Sequence, residues 1–338
     1  MNETIWFDVT NSPHVFFLEP FMKYFKKKGF NVHVTTRQFY RLDEILNNRG
    51  IEYHSVGRHF GKNLAAKAVG MAERVTALTL HIKKIKPIAC IAAGSPYAMA
   101  ASKLLRIPSF WITDNDISAH MVNFGARFAT RVFLPEYSHI NFYEKHGVKK
   151  SHIVTFKGLK EDFYLHGFKP DKNYFKKIGL SGKIAVIRSE PSHAVYFHGE
   201  KQNEAAIIET LQENGFSVIY LPRSKDEEQK TRAAFPNVFV PETALDGQNL
   251  LANSEILIGA GGSMNREAVV LGTKVLSTYS GPSLGVDEWL IKEKYMIHNV
   301  NPSKIDLKQF ITTKLNKYNS TEKGFKTVAS EIESVIQA

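Results

Sequence analysis

The feature that most constrains this chain is the alternation of short apolar runs with amphipathic helical segments, several of them closed by glycine. Thr4–Val9 reads as a strand, Phe16–Lys28 as a helix ended by Gly29, and Asn31–Thr36 as a second strand. Tyr40–Asn48 is a second helix ended by Gly50, and Glu52–Val56 a third strand. Such β-α units wind into a parallel sheet with helices on both faces. The pattern continues through a long helix at Asn63–Lys86, a strand at Pro87–Ala93, a helix from Pro96 through Leu105, and strands at Ile107–Thr113 and Arg131–Leu134. The polar tips Asn11-Ser12-Pro13-His14, Gly94-Ser95 and Asp114-Asn115-Asp116 each follow a strand. In a parallel sheet they gather on the carboxyl edge, where ligands bind.

A second α/β series follows Lys157-Gly158-Leu159-Lys160-Glu161. It reads as strands at Lys183–Arg188 and Ser217–Leu221, a short strand at Val238–Val240, and helices at Glu200–Glu213, up to Ala234, and at Gly247–Asn253. Lys304–Lys314 and Thr321–Gln337 are expected to be helical. At 338 residues a single core is exceeded, so domains are expected at residues 1–160 and 161–318, with 319–338 a terminal helix that packs back on the first.

The chemistry concentrates in Ile256-Leu257-Ile258-Gly259-Ala260-Gly261-Gly262-Ser263-Met264-Asn265-Arg266-Glu267. A buried strand runs into a glycine loop, and a helix begins there, with Gly262 or Ser263 as its cap and Gly272 as its stop. Free N–H groups and the positive end of a helix dipole suit a phosphate or diphosphate. The loop keeps neither the GxGxxG spacing nor a P-loop lysine, and by itself is equally a plain turn. Glu267, placed near the end of the helix's first turn, is positioned to accept hydrogen bonds from ribose hydroxyls.

Other candidates come from the strand tips. His14 is a candidate general base, or else a helix cap or a phosphate-orienting group. Asp114 and Asp116 can do the same work or cap the next helix. The Asp-x-Asp letters there fall in the first half, and His193 and His198 lack a ligand pattern, so no metal is expected and no cofactor is required. The single cysteine, Cys90, sits in an apolar run, which excludes an intramolecular disulfide and a cysteine zinc site.

No apolar run approaches the length of a membrane span, and the first strand takes the place of a signal peptide, so a cytoplasmic protein is expected. The net charge of +11 lies in the first half, where residues 1–160 hold 23 Lys+Arg against 11 Asp+Glu. That excess fits solubility, an anionic acceptor or peripheral attachment to an anionic membrane. Lys62, Lys67, Arg74, Lys83, Lys84 and Lys86 make the long helix a candidate for the bilayer surface, or a helix packed on the sheet. Nucleic acid is disfavoured, because no nucleic-acid motif accompanies the charge.

Four places carry a resemblance to the GT-B architecture, two Rossmann-like doubly wound domains facing a cleft, shared by sugar-nucleotide glycosyltransferases and UDP-N-acetylglucosamine 2-epimerases. They are Thr10–Pro20, Pro87–Gly94 with Ile107-Pro108 and Asp114-Asn115, Phe156–Glu161, and the glycine loop with Glu267. More closely, Trp6–His14 together with Gly259–Glu267 resembles an archaeal and bacterial family carried as a domain of unknown function. The resemblance implies an NDP-sugar donor, with UDP the expected base, on the second domain. Main-chain groups of Gly261, Gly262, Ser263 and Met264 would face the diphosphate, and Glu267 the ribose. Arg188 falls where these enzymes contact phosphate, although it also suits a surface salt bridge, and Arg223 is a candidate for the base pocket or for solvent. The acceptor, a glycan or lipid-linked precursor of the cell envelope, would meet Asn11, Ser12, Gly94 and Ser95.

Transfer of the sugar is the reading adopted, with His14 and Asp114 as catalytic candidates. A 2-epimerase is the alternative. The resembling epimerases need a carboxylate after the mid-domain glycine, where this chain has Ser95. A non-catalytic binder of nucleotide or anionic polymer is the second alternative.

Overall fold

The computed structural model describes residues 3–38, 42–58, 64–189 and 204–337, with only the backbone at 58 and 64–69. The start of the helix expected at Tyr40, the start of that expected at Glu200, the side chains of Lys62 and Lys67, and both His193 and His198 lie outside the described residues. The chain divides into two compact units. Unit 1 comprises Met1–Tyr164, Leu284–Val286 and Thr321–Ala338, and unit 2 comprises Leu165–Ser283 and Asp287–Ser320.

In unit 1 the chain runs β1 (Thr4–Val9), α1 (Ser12–Lys27), β2 (Asn31–Gln38), α2 (Leu42–Asn48), β3 (His54–Arg58), α3 (Leu64–Ile85) and β4 (Ala89–Ala92). It continues through α4 (Pro96–Leu105), β5 (Ser109–Ile112), α5 (Ala119–Phe124), β6 (Arg131–Pro135), α6 (Ile140–Lys145), β7 (Ile153–Phe156) and the turn of helix α7 (Asp162–Leu165). The seven strands are all parallel, in the order β3-β2-β1-β4-β5-β6-β7. Central β1 is buried on both faces: Ile5, Trp6, Phe7 and Val9 are fully enclosed, and so is Asp8. A doubly covered strand has no solvent face to give a polar residue, so Asp8 must find its partners inside.

Unit 2 runs α8 (Tyr174–Lys177), β8 (Lys183–Arg188), α9 (Glu204–Glu213), β9 (Phe216–Leu221), α10 (Lys225–Ala234), α11 (Gly247–Ala252), β10 (Ile256–Gly259) and α12 (Gly262–Leu271). Then come β11 (Lys274–Ser277), α13 (Gly285–Lys292), β12 (Ile297–His298) and α14 (Lys304–Thr312). Its sheet, again all parallel, has the order β12-β11-β10-β8-β9. The expected α/β class, two parallel doubly wound sheets, is what the chain adopts.

The last helix, α15 (Lys323–Gln337), belongs to unit 1. Val328, Ala329 and Ile332 are buried in the core that also holds Phe21 and Phe163, and the ring of Phe325 lies 4.6 Å from that of Phe21. Glu331 bonds Arg131 at 2.8 Å, and Glu333 accepts from the Tyr24 hydroxyl at 3.1 Å.

Several local expectations give way. Helix α1 starts at Ser12 rather than Phe16, with extended Asn11 as its N-cap. Pro13, read as a loop residue, fits the first turn, where its missing N–H has no helical partner to lose. His14 therefore stands on a helix. Val238–Val240 forms no strand but a single bridge, Phe239 to Ile219, although Val238 and Val240 are buried as a strand's side chains would be. Strands β7 and β12 and helices α5, α6, α7, α8 and α13 fall outside the sequence expectations.

Candidate functional site

Two groups of residues, one in each unit, stand on the carboxyl edges of the sheets. In unit 1 the first turn of α1 projects His14 beside Gly94, whose φ of +57° lets the backbone after β4 turn close to the imidazole. The His14 Nδ1 lies 3.2 Å from the Thr10 hydroxyl. Enclosure, then the positive charges of Lys160 and Arg37, push its pKa down to about 3 against weaker opposition from Asp8 and Asp114. His14 is thus a neutral imidazole at pH 7. Placing a proton on it there costs about 5 kcal/mol, at about 1.4 kcal/mol per pKa unit. An anionic ligand beside it would offset those two cations and raise its affinity for a proton.

Asp114, at the end of β5, is buried and ion-paired with the buried Lys160. Lys160 also reaches Glu161, fully enclosed, at 2.7 Å. Two carboxylates thus share one ammonium near His14, and the group of three carries a formal charge of −1. Lys160 and Glu161 were legible only as the end of the Phe156–Glu161 stretch that carries part of the GT-B resemblance. Arg37, from β2, donates to the Thr10 carbonyl and the Asn11 side chain, both at 3.0 Å, and burial lowers its pKa. Asn11 is thereby held by Arg37, and Ser12 is partly exposed on the first turn.

Asp8 anchors this edge. It accepts from Thr35 at 2.6 Å, from both terminal nitrogens of Arg74 at 2.9 and 3.1 Å, and from Ser95 at 2.5 Å. Ser95, expected on the acceptor side, is fully buried: besides bonding Asp8 it caps α4 by accepting from the Ala98 N–H at 3.3 Å. Arg74, one of the cations that made the long helix a candidate for the bilayer surface or for packing on the sheet, is itself buried, and its guanidinium lies 4.7 Å from the Tyr97 ring. On the same helix Leu78 and Ile82 are enclosed, so the apolar face of α3 packs on the sheet, with Leu80 exposed.

Neither aspartate of the third tip caps the next helix. Asn115 makes the turn, accepting from the N–H groups of Ile117 and Ser118. The Asp116 carboxylate holds the backbone N–H of His139 at 2.7 Å and that of Gly285, and burial raises its pKa.

In unit 2 the loop after β10 delivers α12. Gly261 is its N-cap, in extended conformation, and among the described residues no side chain caps the helix, whereas Ser224, Asp246 and Ser303 cap α10, α11 and α14. Gly261, Gly262, Ser263 and Met264 are all partly exposed. Glu267, also partly exposed, is the sixth helical residue and so stands in the second turn rather than the first. Arg188, beside Gly259 in the sheet register, donates to the carbonyls of Leu221 and Pro222 at 3.1 and 3.0 Å. Arg223 bonds the Ser189 carbonyl at 2.8 Å, and its Nη2 lies only 3.1 Å from where a Cβ on Gly261 would stand. Burial, then the charge of Arg223, lowers the Arg188 pKa to about 10.

Three further residues shape this edge. Asn265, buried, donates to the Gly259 carbonyl at 3.0 Å and ties α12 to β10. Arg266 is held by Asp287 at 2.9 Å. The Thr278 and Ser280 hydroxyls, on the loop after neighbouring β11, are buried without a hydrogen-bond partner among the described residues. A ligand oxygen would satisfy them.

The family described as "Protein of unknown function (DUF354)" matches residues 3–337. An uncharacterized protein of Methanocaldococcus jannaschii is 32% identical over 305 residues, covering 88% of each chain. Among solved structures, the UDP-GlcNAc 2-epimerase of the same organism, in complex with UDP-GlcNAc and UDP, superposes with a TM-score of 0.73 at 13% identity, covering 99% of this chain and 100% of that one. The glycosyltransferase of kitacinnamycin gives 0.61 at 11% identity, over 100% and 95%. At such identities the likeness is one of fold.

Proposed function

The chain belongs to the DUF354 family, and from that premise we propose that it is an enzyme of nucleoside-diphosphate sugars, transferring the sugar of a UDP-sugar to a hydroxyl acceptor. The observation that carries this reading is the pairing of Arg188 and Arg223 beside the uncapped start of α12. Two guanidiniums that repel one another are relieved by an anion, and a helix N-terminus offers it amide hydrogens. The bridging oxygen of a departing diphosphate gains negative charge as its bond to the sugar C1 breaks, so donors fixed there favour the transition state. The acceptor oxygen then bonds C1, and its proton passes to a base. In unit 1, His14 and Asp114 are the groups assigned to that proton, and a bound anion raises the affinity of His14 for it. The fold is shared with a UDP-GlcNAc 2-epimerase that holds UDP-GlcNAc and UDP, which supports UDP as the donor's nucleotide.

Epimerisation at C2 is the second reading, favoured by the Asp114–Lys160–Glu161 group, whose paired carboxylates suit proton removal and return. Against it, Ser95 stands where resembling epimerases carry a carboxylate, and it is spent on Asp8 and the α4 cap. The test begins with binding. UDP and a panel of UDP-sugars should raise the melting temperature, and Arg188→Ala or Glu267→Ala should remove the rise. If no nucleoside diphosphate stabilises the protein, the donor site is wrong. Incubation of each bound donor with and without acceptor separates the reactions: transfer releases UDP only with acceptor, and epimerisation yields a new UDP-sugar without one.

A further inference from the structure

A second cluster in unit 1 takes no part in the proposed chemistry. His33 of β2, His54 of β3 and His81 of α3 each present a ring nitrogen, and these nitrogens lie within 4.8 Å of one another. The Nε2 atoms of His33 and His81 are 2.9 Å apart. Ring centroids are separated by 4.7 Å for His33–His54, 5.1 Å for His33–His81 and 5.2 Å for His54–His81. Three imidazole nitrogens about 2.0–2.1 Å from one tetrahedral Zn²⁺ sit about 3.3–3.4 Å from each other, with ring centroids about 5 Å apart. The ring centroids therefore match the spacing around one ion, and nitrogens within 4.8 Å of one another need only small side-chain rotations to converge on it. The closest nitrogen pair need only part by a few tenths of an ångström. Whichever of His33 and His81 donates their mutual hydrogen bond moves that proton from Nε2 to Nδ1, which leaves both lone pairs facing the ion.

We propose that His33, His54 and His81 form a three-histidine site for a divalent late first-row metal ion, Zn²⁺ foremost, with water as its fourth ligand. All three ligands are neutral nitrogens, a set that suits zinc, copper, cobalt or nickel and not calcium or magnesium. His54 is exposed and the other two half-buried, so the ion has an entry path and the water a place. Burial and the neighbouring rings lower the His33 pKa to about 4, and that of His81 is lowered by burial, His54 and Lys84. Lys84, the cation acting on His81, is exposed, where solvent screens it.

The site would join three separate elements. Strand β3 is the edge of the sheet, and His54 stands opposite Thr35 of β2. His81 lies two turns beyond Arg74 on the same face of α3, with buried Leu78 between them. An ion bound there clips the sheet edge to the helix whose Arg74 secures Asp8. This role does not depend on what unit 2 binds.

The test uses the untagged full chain, stripped with a chelator and titrated with Zn²⁺ or Co²⁺ alone. One ion per chain should bind, raise the melting temperature, and with Co²⁺ give the intense visible bands of tetrahedral nitrogen coordination. His54→Ala, at the exposed corner, should leave the metal-free protein folded and weaken binding at least about tenfold, the lower bound set by losing even an outer-shell partner. His81→Gln should do the same. Absence of stoichiometric binding, an octahedral cobalt spectrum, or affinity unchanged in His54→Ala would overturn the assignment.

Discussion

Asp8 shows what a single charged residue in a core strand demands. Four hydrogen bonds from Thr35, Arg74 and Ser95 hold it, and Trp6 completes the network through Thr35 at 2.7 Å. Replacing it with Asn leaves the Arg74 guanidinium buried beside a neutral amide. We expect Asp8→Asn to destabilise unit 1 by about 3–5 kcal/mol, the usual consequence of breaking an enclosed ion pair from one side. Asp8→Leu combined with Arg74→Met should recover most of that loss, because the desolvation of both charges disappears with them. Denaturant titration of the two variants decides the matter: equal losses in both would mean that shape rather than charge sets the cost. His14 teaches a related lesson. Its place just after the first strand was readable from the sequence, but its low proton affinity was not, since that depends first on burial in the folded unit and then on Lys160, 146 residues away in the chain.

At the level of elements, the strand–glycine–helix unit around Gly259 was legible because strand, turn and stop signals agree, and the structure places β10 and α12 within a residue or so of the reading. The failures share a cause. Strand β7 is only partly buried and carries Thr155 among apolar residues, so its periodicity is weak, and α5 and α6 are short pieces fixed by tertiary contacts. Val238–Val240 looks like a strand because burial alone selects its residues. The histidine cluster is not legible in the sequence for a different reason: His33, His54 and His81 are spread over 49 residues with no local spacing, and only the β2–β3 register and the α3 packing unite them.

The glycines of the α12 unit can be told apart by mutation. A Cβ on Gly259 would stand 2.3 Å from the Asn265 amide oxygen, whereas one on Gly272 meets nothing within 4 Å but must adopt a φ of +86°. We expect Gly259→Ala to cost about 1–3 kcal/mol by overpacking and to disturb the Asn265 bond that aims the helix. Gly272→Ala should cost about 1–2 kcal/mol from backbone strain alone. Measured with and without UDP, only the first should also weaken nucleotide binding. The reverse order would discredit the role given to Asn265.

For the molecule as a whole, the division into units crosses the order of the chain. Unit 1 comprises the early residues, the three-residue segment Leu284–Val286 and the final helix, while unit 2 occupies the interval between. Ile332, fully enclosed among residues from the opening strands and helices, therefore belongs energetically to the beginning of the protein. Ile332→Ala should lower the stability of unit 1 by about 2–5 kcal/mol, as for other large-to-small core changes, and leave the unfolding of unit 2 unshifted. Hydrogen exchange read separately over β1–β7 and β8–β12 tests this. Loss of protection in the second sheet alone would contradict it.

The return of α15 to the first sheet has a consequence for synthesis. Phe21 and Phe163 leave the ribosome long before Phe325, their partner, so the nascent sheet must wait with an oily flank uncovered while more than 150 residues are added. Shielding by a chaperone over that interval, or the speed with which the tail docks after release, then governs how much of each newly made chain escapes aggregation.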